Sequence, residues 1–271
     1  AMTRPDRPWR RAMLAAALLL LAAPACADFQ TRGEALAALD TYRRLVEAQP
    51  GQAVFHTLRG DAYYALGDLE AAIQSYSVAI GLDDRQDQAY FGRGMALGRL
   101  GLVDAGIADL DVYIARHPAS SIAHTKRGVR NLWRNRLDDA ERDLRRAIEL
   151  DPANAEAHDD LGVVHAKQQR LALAAEHFRT AIRLDPAYQK AYHNLAICFH
   201  LTGQHAEALK IVEAGLRLDS GSRGTQLLKA SILDALGRQD EARAVADLAE
   251  FLPEDNWSER SSLGAAGKAA P

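Results

Sequence analysis

Small and apolar residues recur along this chain with a period of 34, and the recurrence predicts pairs of helices repeated six times. One slot reads Gly60, Gly94, Gly128, Gly162, Ala196, Ala230, and a second reads Ala72, Gly106, Ala140, Ala174, Ala208, Ala242. Both are small because two helices cross closely there, and a larger side chain would hold them apart. Four residues beyond the second slot stand Tyr76, Leu110, Leu144, Phe178, Val212 and Ala246, a filler that shrinks toward the C-terminal end. Ile80, Ile114, Ile148, Ile182 and Leu216 fill a further apolar slot. Pro50, Pro118, Pro152 and Pro186 close their periods, since proline cannot continue a helix. Gly67, Gly101, Gly203 and Gly237 fall in the turn between paired helices, where left-handed backbone is cheap for glycine. Asn135 takes that turn in the third unit, and the run Gln168-Gln169-Arg170 takes it in the fourth.

The stretch 155–186 carries the pattern most fully. Leu161-Gly162, Ala174, Phe178 and Pro186 match W-x2-L-G-x2-Y…A-x3-F…P, with His158 and His165 at the Trp and Tyr positions. On these residues the chain resembles the tetratricopeptide repeat (TPR) family. The resemblance implies an all-α fold, with helix–turn–helix repeats stacked into a right-handed superhelical solenoid of about thirteen helices. Full units are expected at 53–86, 87–120, 121–154, 155–188 and 189–222, with a degenerate sixth at 223–252 that puts Lys229 where Leu belongs. Residues 28–52 hold a lone helix whose Ala38, Tyr42 and Leu45 fit the second-helix register, so it is expected to cap the solenoid. Residues 253–271 lack a period and are expected to form a disordered tail, with Trp257 packing back on the last helix.

Residues 2–27 read as a cleaved signal peptide: Arg4, Arg7, Arg10 and Arg11 precede an apolar run, and Ala25-Cys26-Ala27 offers a cleavage site before Asp28. The run is shorter than the roughly 20 apolar residues a bilayer span needs. The mature protein is therefore expected in the periplasm. The alternative is an outer-membrane lipoprotein acylated on Cys26, although Pro24 and the missing leucine depart from that motif. The arginine pair also resembles a twin-arginine export signal. Cleavage removes four Arg and Asp6, taking Lys+Arg from 33 to 29 and Asp+Glu from 36 to 35, so the net charge moves from −3 to −6. An acidic chain is a poor match for nucleic acid, where phosphate neutralisation drives binding. Cys198 would then be the only cysteine, which leaves no internal disulfide.

In TPR proteins the first helix of each unit lines a concave groove. That resemblance implies groove walls built from Phe91, Met95, Arg99, Thr125, Val129, Trp133, Asp159, Val163, Lys167, His193, Ile197 and His200. The row Met95, Val129, Val163, Ile197 reads either as a peptide-binding floor or as packing between neighbouring first helices. Phe91 and Trp133, expected to be exposed, favour binding, because aromatic anchors are common at interfaces. Asp159 and His193 stand one period apart and are expected to face each other, a pairing that would raise the histidine pKa. Arg59, Arg93 and Arg127 recur one residue before the glycine and read as structural. The third unit is locally basic, with Lys126, Arg127, Arg130, Arg134 and Arg136 set against Asp138, Asp139, Glu141, Asp143 and Glu149, and reads as a solvated face.

Candidate chemistry is thin. Nine histidines invite a metal, but His158–His165 and His193–His200 are two helical turns apart and no H-x3-H occurs. His56, His124 and His158 occupy the aromatic slot, where packing explains them. Gly92, Gly94 and Gly98 lack dinucleotide-loop spacing and context, and no nucleophile elbow is present. The expectation is a non-enzymatic scaffold for a protein or peptide partner, without cofactor, metal or nucleic acid, and touching a membrane only through a lipidated Cys26. The alternative is a histidine-dependent metal-binding protein or enzyme.

Overall fold

The computed structural model describes residues 29–253, and every regular element among them is an α-helix. The expected signal segment up to Ala27 and the expected tail beyond Pro253, Trp257 included, lie outside the described residues. The thirteen helices are α1 (Arg32–Ala48), α2 (Ala53–Leu66), α3 (Leu69–Leu82), α4 (Asp87–Arg99), α5 (Val103–Arg116), α6 (Ser121–Trp133) and α7 (Leu137–Leu150), followed by α8 (Ala155–Lys167), α9 (Leu171–Leu184), α10 (Gln189–Leu201), α11 (His205–Leu218), α12 (Arg223–Ala235) and α13 (Gln239–Glu250). From Ala53 onward, each first helix of a pair begins 34 residues after the last. The fold is an all-α solenoid. The chain forms two compact units that divide between Gly92 and Arg93, inside α4.

In the first unit, α1 starts at a capping box. The Thr31 hydroxyl accepts from the Glu34 N–H at 3.1 Å, and the Glu34 carboxylate accepts from the Thr31 N–H at 3.1 Å. Leu39, Tyr42, Leu45 and Val46 then pack on Phe55 and Ala62 of α2. Tyr76 of α3 fills the space between two glycines: a Cβ at Gly60 would meet its ring at 2.6 Å, and one at Gly92 at 2.5 Å. Its hydroxyl donates to Asp61 Oδ1 at 2.7 Å. Burial pushes the Asp61 carboxyl up to about 7, and the Tyr76 hydrogen bond only partly offsets it.

In the second unit, consecutive helices pack in chain order, and successive first helices also touch: α6 with α8, α8 with α10, and α10 with α12. The close crossings fall at the small slots. A Cβ at Gly94 would lie 3.0 Å from the Gly106 carbonyl, at Gly128 2.9 Å from Leu144, and at Gly162 2.6 Å from the Phe178 ring. Phe178 is 1% exposed and shares its core with Leu195, Phe199, Val212, Ile232 and Leu233. Leu144 and Leu161 anchor the neighbouring core. The turns take left-handed backbone where the sequence placed it, at Gly101, Gly203 and Gly237 and also at Asn135 (φ 55°) and Gln169 (φ 61°).

Charged pairs add to the apolar contacts within some helix pairs. Arg93 grips Asp109 with two hydrogen bonds of 2.7 and 2.8 Å, and Arg127 grips Asp143 at 2.9 and 2.6 Å. In the first unit the equivalent Arg59 reaches Ser75 at 3.2 Å. Most of the third repeat's basic side chains pair on the surface, among them Arg142–Asp139, Arg145–Glu141 and Arg146–Glu149. Arg130 is the exception. Expected on a solvated face, it is 2% exposed, donating to the Lys126 carbonyl at 3.0 Å and the Met95 carbonyl at 3.3 Å. Gly98 makes room for it, since a Cβ there would lie 2.7 Å from the guanidinium.

Two outcomes follow from this packing. Phe178→Ala should cost about 3–5 kcal/mol by opening a cavity, read as a shift in the urea midpoint followed by circular dichroism. An unchanged midpoint would mean the helix register is misassigned. Asp61 has a raised folded pKa, so the folded chain holds a proton that the unfolded chain gives up. Its contribution is complete below the unfolded value of 3.8 and is lost as pH rises through about 7. Asp61→Asn keeps an acceptor for Tyr76 and cannot ionise. It should therefore stabilise the protein at pH 8 and leave it nearly unchanged near pH 4, and equal effects at both pH values would contradict the assignment.

Candidate interaction surface on the first helices

The first helices of the second unit share one face, and their period-34 positions line it. Met95, Val129, Val163 and Ile197, from α4, α6, α8 and α10, form a row that is neither buried nor fully exposed. Val163 also packs against both neighbouring cores, so the row contributes to helix packing as well as presenting surface. Larger apolar side chains stand open around it: Ile122 at 60%, Trp133 at 48%, Leu201 at 64% and Leu227 at 44% exposed. Arg130 lies beneath Trp133, its guanidinium 5.5 Å from the ring centroid. Lys167 is exposed and Arg99 half-buried on the same register.

A polar ladder ties these helices together. Lys126 of α6 donates to both oxygens of Glu156 on α8 at 2.6 and 2.7 Å. Lys190 of α10 reaches back to α8, 2.9 Å from Asp160 Oδ1 and 3.0 Å from Asp159 Oδ2. Asn194 donates to Asp159 Oδ1 at 2.9 Å. Farther along, His193 Nδ1 lies 3.1 Å from the Thr225 hydroxyl of α12, and His200 Nε2 lies 3.3 Å from the Ser231 hydroxyl.

The electrostatics follow from one ammonium serving two buried carboxylates. Burial works against the Lys190 charge, but Asp160 and Asp159 outweigh it and hold its pKa well above the ordinary lysine value. Burial, with Glu156 and Asp159 adding to it, pushes Asp160 up to about 6 despite Lys190. Burial opposes the Glu156 charge as well, yet Lys126 prevails and its pKa is lowered.

Several expected wall residues therefore have other roles. Phe91 is 5% exposed and belongs to the core of its own unit, so it is not an exposed anchor. Thr125 (1%) and Asp159 (0%) are buried, and Thr125 donates to the Ser121 carbonyl at 3.0 Å. The Asp159–His193 pair does not form as expected. Asp159 is taken by Asn194 and Lys190, and His193 turns to Thr225, because facing first helices are offset and the residue 34 positions on is not the nearest. Ile122, Lys126, Lys190 and Asn194 complete this face. The two lysine pairs share a spacing of 30 residues, one period less one helical turn, and that spacing was readable in the sequence.

The buried Cys198 thiol is pushed up to about 11 by desolvation, which makes it unreactive at neutral pH. No helix among the described residues is long and apolar enough to cross a membrane.

Comparison with known proteins agrees with this geometry. A "TPR repeat" family model matches residues 60–101, and two "Tetratricopeptide repeat" models match 132–189 and 165–230. No curated protein is significantly similar to the chain. Among solved structures, a tetratricopeptide repeat protein from Parabacteroides merdae ATCC 43184 is 16% identical. The match covers 93% of this chain and 96% of that one at a TM-score of 0.70. PilW, described as a widely conserved type IV pilus biogenesis factor, is 21% identical over 73% of this chain and 93% of its own, with a TM-score of 0.68. YrrB, described as a TPR protein with an unusual peptide-binding site, is 18% identical over 69% of this chain and 97% of its own, at 0.54. At these identities the structural likeness speaks for the fold alone, and the family models carry the assignment. The chain belongs to the tetratricopeptide repeat family and is a scaffold of the protein–protein interaction type.

Proposed function

We propose that the first-helix face of the second unit holds a peptide or partner helix, with no catalytic step of its own. The observation that carries the reading is the half-exposed row Met95, Val129, Val163, Ile197, bordered by the open side chains of Trp133, Leu201 and Leu227. Isolated exposed apolar residues are ordinary on a protein surface, but a contiguous set on one face is what a binding site needs. The ladder beneath it is already hydrogen-bonded, so a partner would meet a preorganised surface and little ordering cost. YrrB's described peptide-binding site and PilW's described part in pilus biogenesis are compatible with such a role.

We further propose that the scaffold acts in the periplasm, on the strength of the export pattern in residues 2–27, or at the outer membrane if Cys26 is acylated. Envelope assembly or secretion complexes are the setting this reading suggests.

A photo-crosslinking residue at Trp133 or Leu201 should capture the partner. The same residue at Leu173, an exposed position on second helix α9, should not. Val163→Asp with Ile197→Asp should abolish capture while leaving the helical circular dichroism intact. Capture that survives this double substitution would reduce the row to packing. Intact mass of the exported protein should give a chain starting at Asp28, whereas a chain starting at an acylated Cys26 would make it a lipoprotein.

A further inference from the structure

Within the fourth repeat, three imidazoles gather on the side away from the candidate groove. They are His158 and His165 of α8 and His177 of α9. The other repeats act as internal controls for how this came about. In the first, third and fifth, the residue in the aromatic slot ties back to the carbonyl of the proline six positions earlier. His56 Nε2 lies 2.9 Å from the Pro50 oxygen, His124 Nε2 3.2 Å from Pro118, and the Tyr192 hydroxyl 3.1 Å from Pro186. His158 stands in the same slot, six residues beyond Pro152. From that slot its Nδ1 faces across the hairpin.

The residue 19 positions on meets that nitrogen. In the third repeat it is Asp143, already neutralised by Arg127, with His124 Nδ1 at 3.4 Å. In the fourth repeat both members of that ion pair are replaced: Leu161 stands for the arginine and His177 for the aspartate. Two ring nitrogens now confront each other, His158 Nδ1 and His177 Nδ1, at 3.3 Å. Two nitrogens bound at about 2.0–2.1 Å to one tetrahedral ion stand roughly 3.3–3.4 Å apart. His165 is 1% exposed, its ring lies 5.3 Å from that of His177, and its Nδ1 has no hydrogen-bond partner.

We propose that His158 and His177 form a two-nitrogen clip for a borderline transition-metal ion such as zinc, which staples α8 to α9, with His165 as the reserve third ligand. Among the described residues no three such groups are already arranged as a cage. The cations facing the cluster are Arg145, Arg170 and Arg183. The first two are held by Glu141 at 2.8 and 2.9 Å.

The test is zinc titration of metal-free full-length protein by calorimetry, with the histidine ring nitrogens followed by NMR. One equivalent should bind, move the Nδ1 signals of His158 and His177, and raise the melting temperature. His177→Ile, which installs the residue the fifth repeat carries in this slot as Ile211, should weaken binding at least tenfold and remove the thermal shift. His165→Ala should weaken it severalfold. His205→Ala removes the other close imidazole pair, His200–His205 with Nδ1 atoms 3.1 Å apart, and should leave the binding unchanged. The proposal is overturned if the wild type takes up no zinc at millimolar concentration, if His177→Ile binds as tightly as wild type, or if the shifted nitrogens belong to His200 and His205.

Discussion

The rest of the structure depends on how closely two helices can cross inside each repeat. At Gly162 a single methyl group would stand 2.6 Å from the Phe178 ring, and at Gly60 the same distance from Tyr76. The glycine therefore makes room for the filler, and filler size sets how much apolar surface each hairpin buries. Where the filler is Leu110 or Leu144 the fit is looser, at 3.2 and 2.9 Å. In those repeats a bidentate Arg–Asp pair, Arg93–Asp109 or Arg127–Asp143, spans the same two helices. The fourth repeat has the largest apolar filler and no such pair. The two devices stand in for one another, a large filler in the first and fourth repeats and an ion pair in the second and third.

That geometry was legible because it repeats. Slots at a fixed period of 34 identified the helix pairs, the turn positions and the small residues where backbones approach. Asn135 and Gln169, the two non-glycine turn residues with positive φ, sit where the glycines of other repeats sit. Contacts between repeats were harder to read, because they do not obey the same number. Facing first helices are offset, so Lys126 finds Glu156 and Lys190 finds Asp160 at 30 residues, while Asp159 finds Asn194 at 35. An expectation built on 34 paired Asp159 with His193 and was wrong. Phe91 was misjudged for a related reason: the register gives its direction around the helix but not how deeply its neighbours cover it. The histidine cluster escaped notice because its decisive member, His177, stands on the second helix, and spacing along α8 alone could not reveal it.

The polar ladder also bears on what the first-helix face can do. Buried ion pairs contribute little net stability, since desolvation cancels much of the Coulomb gain. Their value here lies in orientation. Lys126–Glu156 and Lys190 with Asp159 and Asp160 each join neighbouring first helices, and together they fix the spacing of the apolar row above them. A row held by apolar packing alone could slide, whereas one pinned by directional bonds presents Val129, Val163 and Ile197 in a constant arrangement. The same bonds occupy the side chains that could otherwise have recognised a charged ligand. If this face binds a partner as proposed, recognition would fall to shape and apolar contact, with Lys167 and Arg99 as the cations at its margin. A partner suited to it would bring a row of apolar side chains spaced to match helices about 10 Å apart, as an amphipathic helix or an extended peptide can.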